Sequence, residues 1–401
     1  MLHYKFPVIE HINDVLPHIV DDSAFGVFKK DGYTVIDYNF VSSDTFPTVE
    51  DENDICNKMR REARGLIFDD QGKLIARRYH KFFNYGEREE LLPGNVDFSK
   101  PHVILEKLDG SMVSPVLIND EIKWTTRMGV TFISPQVYDW LMADAERLES
   151  YMDFVHECFN FDVTPIFEWC SRKNRVVIDH PVERLVLTGM RENNSGRYYN
   201  QNAMSTLAIA YDIDFTKSFP YDANNILDIV RQQEGLEGVV IRFDDGQMLK
   251  IKCDWYSRIH KAKSFITSER AVTMAIVDGS IDDVLPMLPD EDKKVVIKFR
   301  DKLWDEIDRE SFVLFKTAYH MRDIYKTPKD YALGEVIKDH NHLLKALVFL
   351  VFNGKIKLYQ SEVKLYLIDY IKKSSNHTKN YLEMKELIFP LLDYRFEYEE
   401  N

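Results

Sequence analysis

Lys107, Glu168, Glu237, Lys250 and Lys252 are residues whose types and spacing could do chemistry together. Lys107 opens Lys107-Leu108-Asp109-Gly110-Ser111, directly after the strand-like run Val103-Ile104-Leu105-Glu106. Glu168 stands in Ile166-Phe167-Glu168-Trp169, Glu237 begins Glu237-Gly238-Val239-Val240, and Lys250-Ile251-Lys252 follows. Lys-x-Asp-Gly alone should turn up by chance in roughly one chain in ten of this length. Four such segments in this order, each at a strand-like run, are hard to reach by accident.

A lysine amine attacks phosphorus only when neutral, and its ordinary pKa is about 10.4. Neighbouring cations, a metal ion or removal from water lower that value. Lys250 and Lys252 alternate with Ile251, so on a strand both ammonium groups leave one face. There they would depress the Lys107 amine and neutralise charge on an α-phosphate under attack. Glu168 and Glu237 suit ribose hydroxyls and a hydrated magnesium ion. Gly110 and Gly238 would let backbone come close to a nucleotide.

The 401 residues, 45% hydrophobic, suffice for a packed core and point to two domains. The longest apolar run, Ala346 to Phe352, is about a third of a membrane span. The amino terminus lacks the apolar core of a signal peptide. Cys56, Cys158, Cys170 and Cys253 have no paired or metal-type spacing and read as free thiols of a cytoplasmic protein. No histidine falls in metal spacing. Net charge is −14; residues 251–401 hold 25 basic and 25 acidic residues, and residues 1–250 hold 27 and 41. An amino-terminal half this acidic should repel nucleic acid except at local basic patches.

The elements that must position these groups read as α+β up to about residue 257. Strand-like runs flank Lys30-Asp31-Gly32, Asp69-Asp70-Gln71-Gly72, Asn119-Asp120 and Asp244-Asp245-Gly246, four hairpin signals. Residues 135–160 have helical spacing through Val137, Leu141, Leu148, Met152 and Val155. Beyond residue 257 long amphipathic patterns take over, notably 291–319 and 359–373, with breaks expected at Pro286, Pro289 and Pro328. The expectation is an antiparallel-rich domain over 1–257 and an all-helical domain over 258–401. The chain ends in an acidic stretch, Glu397-Tyr398-Glu399-Glu400.

With these residues in place, the chain resembles the bacteriophage ATP-dependent RNA ligases of the tRNA-repair type, the RNA ligase 1 family. That family sits among the covalent nucleotidyltransferases with DNA ligases and mRNA capping enzymes. The resemblance runs in register from near Tyr33 to near Phe352. It implies an adenylyltransferase domain in which Lys107 becomes linked to AMP, with Glu168, Glu237 and Tyr256 as further catalytic residues. Glu168 is followed by the family-like Asn174-Arg175-Val176-Val177, and Arg191-Glu192-Asn193 resembles the next strand of the domain. Tyr38, Arg64 in Ala63-Arg64-Gly65, and Lys81 in Lys81-Phe82-Phe83-Asn84 match nucleotide contacts. Lys250, Lys252 and Tyr256 match the closing motif. Asp282, in Asp278-Gly279-Ser280-Ile281-Asp282-Asp283, matches a magnesium ligand, with Glu237 the expected second. The family has a lysine where Arg127 stands, and a forked donor is not a point charge.

The resemblance implies ATP as substrate, Mg²⁺, and joining of 3′-hydroxyl to 5′-phosphate RNA ends. It further implies a tRNA broken in the anticodon loop as substrate, read by the helical domain, and an end-healing polynucleotide kinase/phosphatase as partner. A monomer in the host cytoplasm, with no membrane contact, is expected. DNA ligases and guanylyltransferases share the Lys107 motif but normally continue into an OB-type barrel, whereas this tail reads helical. A dead nucleotide-binding module would be expected to lack Lys107, Glu168, Glu237 or Lys250, and all are present.

Overall fold

The computed structural model describes residues 5–19, 23–42, 44–49 and 53–394. The acidic stretch 397–400 and the first four residues lie outside them. The chain forms two compact units, Met1–Ser257 and Arg258–Asn401.

The described residues of the first unit form a mixed α/β structure of twelve strands: β1 (Phe25–Lys30), β2 (Tyr33–Tyr38), β3 (Leu66–Asp69), β4 (Leu74–Ala76), β5 (Phe83–Asn84), β6 (His102–Lys107), β7 (Ser111–Ile118), β8 (Glu121–Thr125), β9 (Val163–Cys170), β10 (Arg184–Glu192), β11 (Gly238–Phe243) and β12 (Met248–Lys252). They make three four-stranded sheets, ordered β1-β2-β3-β4, β10-β9-β7-β8 and β5-β12-β11-β6. All four signalled turns join antiparallel neighbours: β1 to β2, β3 to β4, β7 to β8, and β11 to β12. Left-handed backbone at Gly32, Gly72, Asn119, Asp120 and Gly246 is what made those turns legible. Among the described strand pairs only β5 on β12 is parallel.

The expected helical run 135–160 is two helices, Ile133–Met142 and Ala145–Asn160. Asp144 ends the continuity: extended at φ −146°, it accepts the Arg147 amide and caps the second helix. These helices and Gln201–Ala210 cover the β10-β9-β7-β8 sheet over a core that includes Phe154, Phe167, Trp169, Leu185 and Met204.

The second unit is helical throughout its described secondary structure. A 35-residue helix, Asp290–Ile324, packs most extensively on Gln360–Ser374 and His342–Phe352. Its buried side chains Val296, Phe299, Leu303, Ile307, Ser311, Leu314 and Ala318 recur at three or four residues, the stripe that the sequence predicted. Pro289 precedes that helix, Pro286 lies in a 3-10 turn, and Pro328 takes the first position of Pro328–Leu333, where a missing N–H costs nothing. No described helix is long and apolar enough to cross a membrane.

Candidate active site

The lysine motif is the passage from one sheet to another. Lys107 is the last residue of β6, and Ser111 begins β7 in the neighbouring sheet. Gly110 makes the change possible, because a Cβ there would stand 2.3 Å from the Trp169 carbonyl oxygen on β9. Across the other sheet Lys107 pairs with Gly238, and Gly238 pairs with Lys252, so one register row carries both lysines. A Cβ on Gly238 (φ +154°) would fall 2.0 Å from the Ile251 carbonyl. The close approach that both glycines permit in this structure is to neighbouring protein backbone.

Glu237, directly before β11, closes the row. Its Oε1 lies 2.7 Å from Lys107 Nζ and 3.1 Å from Lys252 Nζ. The carboxylate is nearly buried at 5% exposure while the two lysine side chains keep 23% and 29%, so solvent reaches the row from the lysine side. Lys250 leaves the same strand face two residues away. Removal from water, then the charges of Lys107, Lys81, Lys252 and Arg64, push its ammonium down to about 7. Glu168 faces this cluster from β9, and desolvation with nearby Glu237 raises its carboxyl to about 8 against the opposing pull of Lys107 and Arg64.

Asp109 holds the motif from behind. Its Oδ2 accepts the Val177 and Ile178 amides at 2.8 and 2.7 Å, its Oδ1 accepts the Tyr256 hydroxyl at 2.7 Å, and its carbonyl oxygen lies 2.7 Å from His180 Nε2. Tyr256 is itself buried, and burial raises its phenol. Its hydroxyl braces Asp109, and Lys252 Nζ lies 5.0 Å from its ring centre.

Tyr38, Arg64 and Lys81 form the other wall. Lys81 Nζ lies 5.1 Å from the Tyr38 ring centre, 5.2 Å from Phe83 and 5.8 Å from Phe46, and burial lowers its ammonium. Arg64 Nη1 donates to the Tyr79 carbonyl at 3.2 Å. Arg127, from the turn after β8, lies 4.2 Å from the Tyr38 ring centre, and its Nε pairs with Asp37 Oδ2 at 3.0 Å. Asp37 is wholly buried, and desolvation raises its carboxyl to about 6 despite the charge of Arg127.

The site residues expected in the first unit therefore face a common set of charges. Asp282 lies in the second unit, on the short helix Ile281–Val284, exposed and 3.8 Å from Arg300 Nη1. No group of three or more His, Cys, Asp or Glu suited to a metal occurs among the described residues.

Two features escaped the sequence reading. Asp37 sits beside a residue that was singled out, yet nothing in Ile36-Asp37-Tyr38 separates a buried carboxylate from a solvated one. The second is a wholly buried knot around Glu62, which Arg77 Nε meets at 3.0 Å and Arg191 meets twice, at 2.8 and 2.7 Å. Burial would push the Glu62 carboxyl up, but Arg191 and Arg77 bring it down to about 2.

The chain is similar to known RNA ligases over part of its length. Residues 62–256 match the RNA ligase family. A candidate RNA ligase of Thermovibrio ammonificans is 27% identical over 263 residues, 64% of this chain and 65% of that protein. RNA ligase 1 of bacteriophage TS2126 is 23% identical over 239 residues, 57% and 58% of the two chains. The chain thus spans less than two thirds of the length of these relatives. Among solved structures, an archaeal ATP-dependent RNA ligase aligns with a TM-score of 0.45 at 17% identity, over 63% of this chain and 64% of that one. The family match begins at Glu62 of the buried knot and ends at Tyr256 after the last strand, so just under half of the chain, the part that holds the lysine row, is similar to RNA ligases.

Proposed function

We propose that the protein is an ATP-dependent RNA ligase working through a lysyl-AMP intermediate. The observation that carries this reading is the row Lys107–Glu237–Lys252 with Lys250 beside it, a nucleophile set among cations at an opening. Lys107 Nζ, once deprotonated, attacks the α-phosphorus of ATP; the N–P bond forms as the bond to pyrophosphate breaks. A 5′-phosphate oxygen of RNA then attacks that phosphorus, the N–P bond breaks, and Lys107 regains its proton. Finally a 3′-hydroxyl, giving up its proton, attacks the activated 5′-phosphorus and AMP leaves. The protein contributes position and charge. Lys250, poised near neutrality, takes up a proton as phosphate arrives and so gains its charge where it is needed.

Glu168 and Glu237 fit a magnesium ion that keeps most of its waters, since such an ion takes one or two carboxylates plus phosphate oxygens. A raised carboxyl beside a second carboxylate is the arrangement a cation relieves. The bound ion would neutralise phosphate charge. The metal role of Asp282 belongs to this proposal and rests on the resemblance.

In this reading the helical unit selects the RNA, a tRNA broken in its anticodon loop, after a separate kinase/phosphatase has prepared the ends; the enzyme acts as a monomer in the host cytoplasm. Phe312 and Tyr319 on the long helix are 42% and 55% exposed and share a face at seven residues' separation. Lys316 Nζ lies 4.6 Å from the Phe312 ring centre. Residues 311–330 carry four basic and two acidic side chains in a chain of net −14. Aromatic faces beside cations take unpaired bases. Lys355 and Lys357 are exposed, whereas Lys372 and Lys373 are paired with Asp278 and Asp369.

The test is mass spectrometry after incubation with Mg²⁺ and ATP or GTP, beside Lys107→Ala, followed by sealing assays on a cleaved anticodon stem-loop, an unstructured RNA and a nicked DNA duplex. AMP on Lys107 with preferred sealing of the stem-loop supports the proposal. GMP on Lys107 points to capping, and preferred sealing of the duplex to a DNA ligase.

A further inference from the structure

Arg127 is held on three sides. It stands at the tip of a tight turn closed by Thr126 and Gly129, whose amides each donate to the other's carbonyl at 2.8 and 3.0 Å. Gly129 takes a left-handed φ of +86°, and the Val130 amide donates to the Tyr33 hydroxyl at 3.0 Å, so the turn is fastened to β2. From β2, Tyr38 lies under the guanidinium, and Asp37 Oδ2 stands 3.0 Å from its Nε as an ion pair without hydrogen-bond alignment. The Arg127 side chain remains 33% exposed, and its two Nη groups have no hydrogen-bond partner among the described residues.

We propose that Asp37 is a positioning residue for ATP: its buried charge, ion-paired beside Arg127 Nε, holds the guanidinium over Tyr38 and so presents the two Nη groups as a fork for the β- and γ-phosphates. The inference rests on the ligase reading and deepens it. A planar guanidinium can give one nitrogen to an internal carboxylate and still present two parallel donors to a phosphate, which a lysine ammonium cannot do in the same geometry. The buried anion also restrains a side chain that would otherwise spend its rotamer freedom on binding. The charged groups facing Asp37 are the guanidiniums of Arg127, Arg64 and Arg78, and burial raises its carboxyl to about 6 despite their pull. Its charge is therefore within reach of mild acid.

The experiment compares wild type, D37N, R127Q and the double variant in two reactions. Lysyl-AMP formation needs the ATP phosphates; sealing of pre-adenylylated RNA does not. D37N and R127Q should each raise the KM for ATP about tenfold or more, the worth of a charge-assisted hydrogen bond, with sealing of pre-adenylylated RNA unchanged. The double variant should match R127Q within about twofold, because Asp37 acts through Arg127. Additive effects, an unchanged KM in D37N, or equal loss in both reactions would overturn the proposal; equal loss would mark Asp37 as merely structural. If D37N does not fold, the KM of wild type should rise more steeply than that of R127Q below pH about 6, and parallel profiles overturn the proposal. R127Q retains the contributions of ATP itself, Lys250 and Glu168, so the difference isolates Asp37. If wild type neither takes up AMP nor seals adenylylated RNA, it is the ligase reading that fails.

Discussion

Glu62 and Glu237 each sit between two cations in the same unit, Arg77 and Arg191 around one, Lys107 and Lys252 around the other. Around Glu62 every partner is fully buried, and both carboxylate oxygens are used. The guanidiniums spend their other donors on backbone: Arg77 on the carbonyls of Asn193, Asn194 and Pro7, Arg191 on those of Gly196 and Arg78. Around Glu237 a single oxygen serves two ammonium groups, which remain partly open. The first arrangement is saturated and ties distant segments together. The second keeps donors in reserve and can exchange its partner for a phosphate. Arginine forks suit the former and flexible lysines the latter.

The largest expected effect breaks the comparison on the chemical side. Lys107→Arg keeps a cation beside Glu237 but removes the nucleophile, and lysyl-AMP should fall by more than about 10⁴-fold with the melting temperature nearly unchanged; radiolabelled adenylate transfer reads it. Next, Glu62→Gln strands two buried guanidiniums and should cost about 3–5 kcal/mol. For a unit of this size that lowers the midpoint by roughly 6–20 °C in a calorimetric scan. The same chemical change at Glu237 should behave oppositely: Glu237→Gln loses about a hundredfold in adenylate transfer and little stability. A large drop in melting temperature for Glu237→Gln would erase the distinction between the two clusters.

The smallest effects sharpen it. Lys250 titrates near 7 in the folded protein against about 10.4 in a free chain, so unfolding takes up protons between those values. Its contribution destabilises the fold below pH 7 and fades as pH rises towards 10, so Lys250→Met should be the more stable protein at neutral pH by denaturant titration. ATP binding near pH 7 should take up part of a proton in wild type and less in that variant, which calorimetry in buffers of different ionisation enthalpy reports.

What the sequence disclosed follows the range of the interactions. The hairpin turns and the Lys107 motif are local: a left-handed residue or a fixed five-residue string declares them. Lys250 and Lys252 were legible as a pair because a strand has a period of two. The Glu62 knot was not, because Arg191 meets it across 129 positions and each of its three charges, taken singly, reads as a solvated side chain. Asp37 was missed for the same reason. The break at Asp144 was missed because apolar periodicity carries through it while the cap depends on a single side chain.

The single register row through Lys107, Gly238 and Lys252 has one more implication. Three strands must align to the residue before the full row comes together, and a slip by one in either pairing would turn the lysine of that strand to the far side of the sheet. Assembly of the reactive centre is therefore a digital event during folding. A chain that has mispaired either strand would lack at least one of the two ammonium groups beside Glu237.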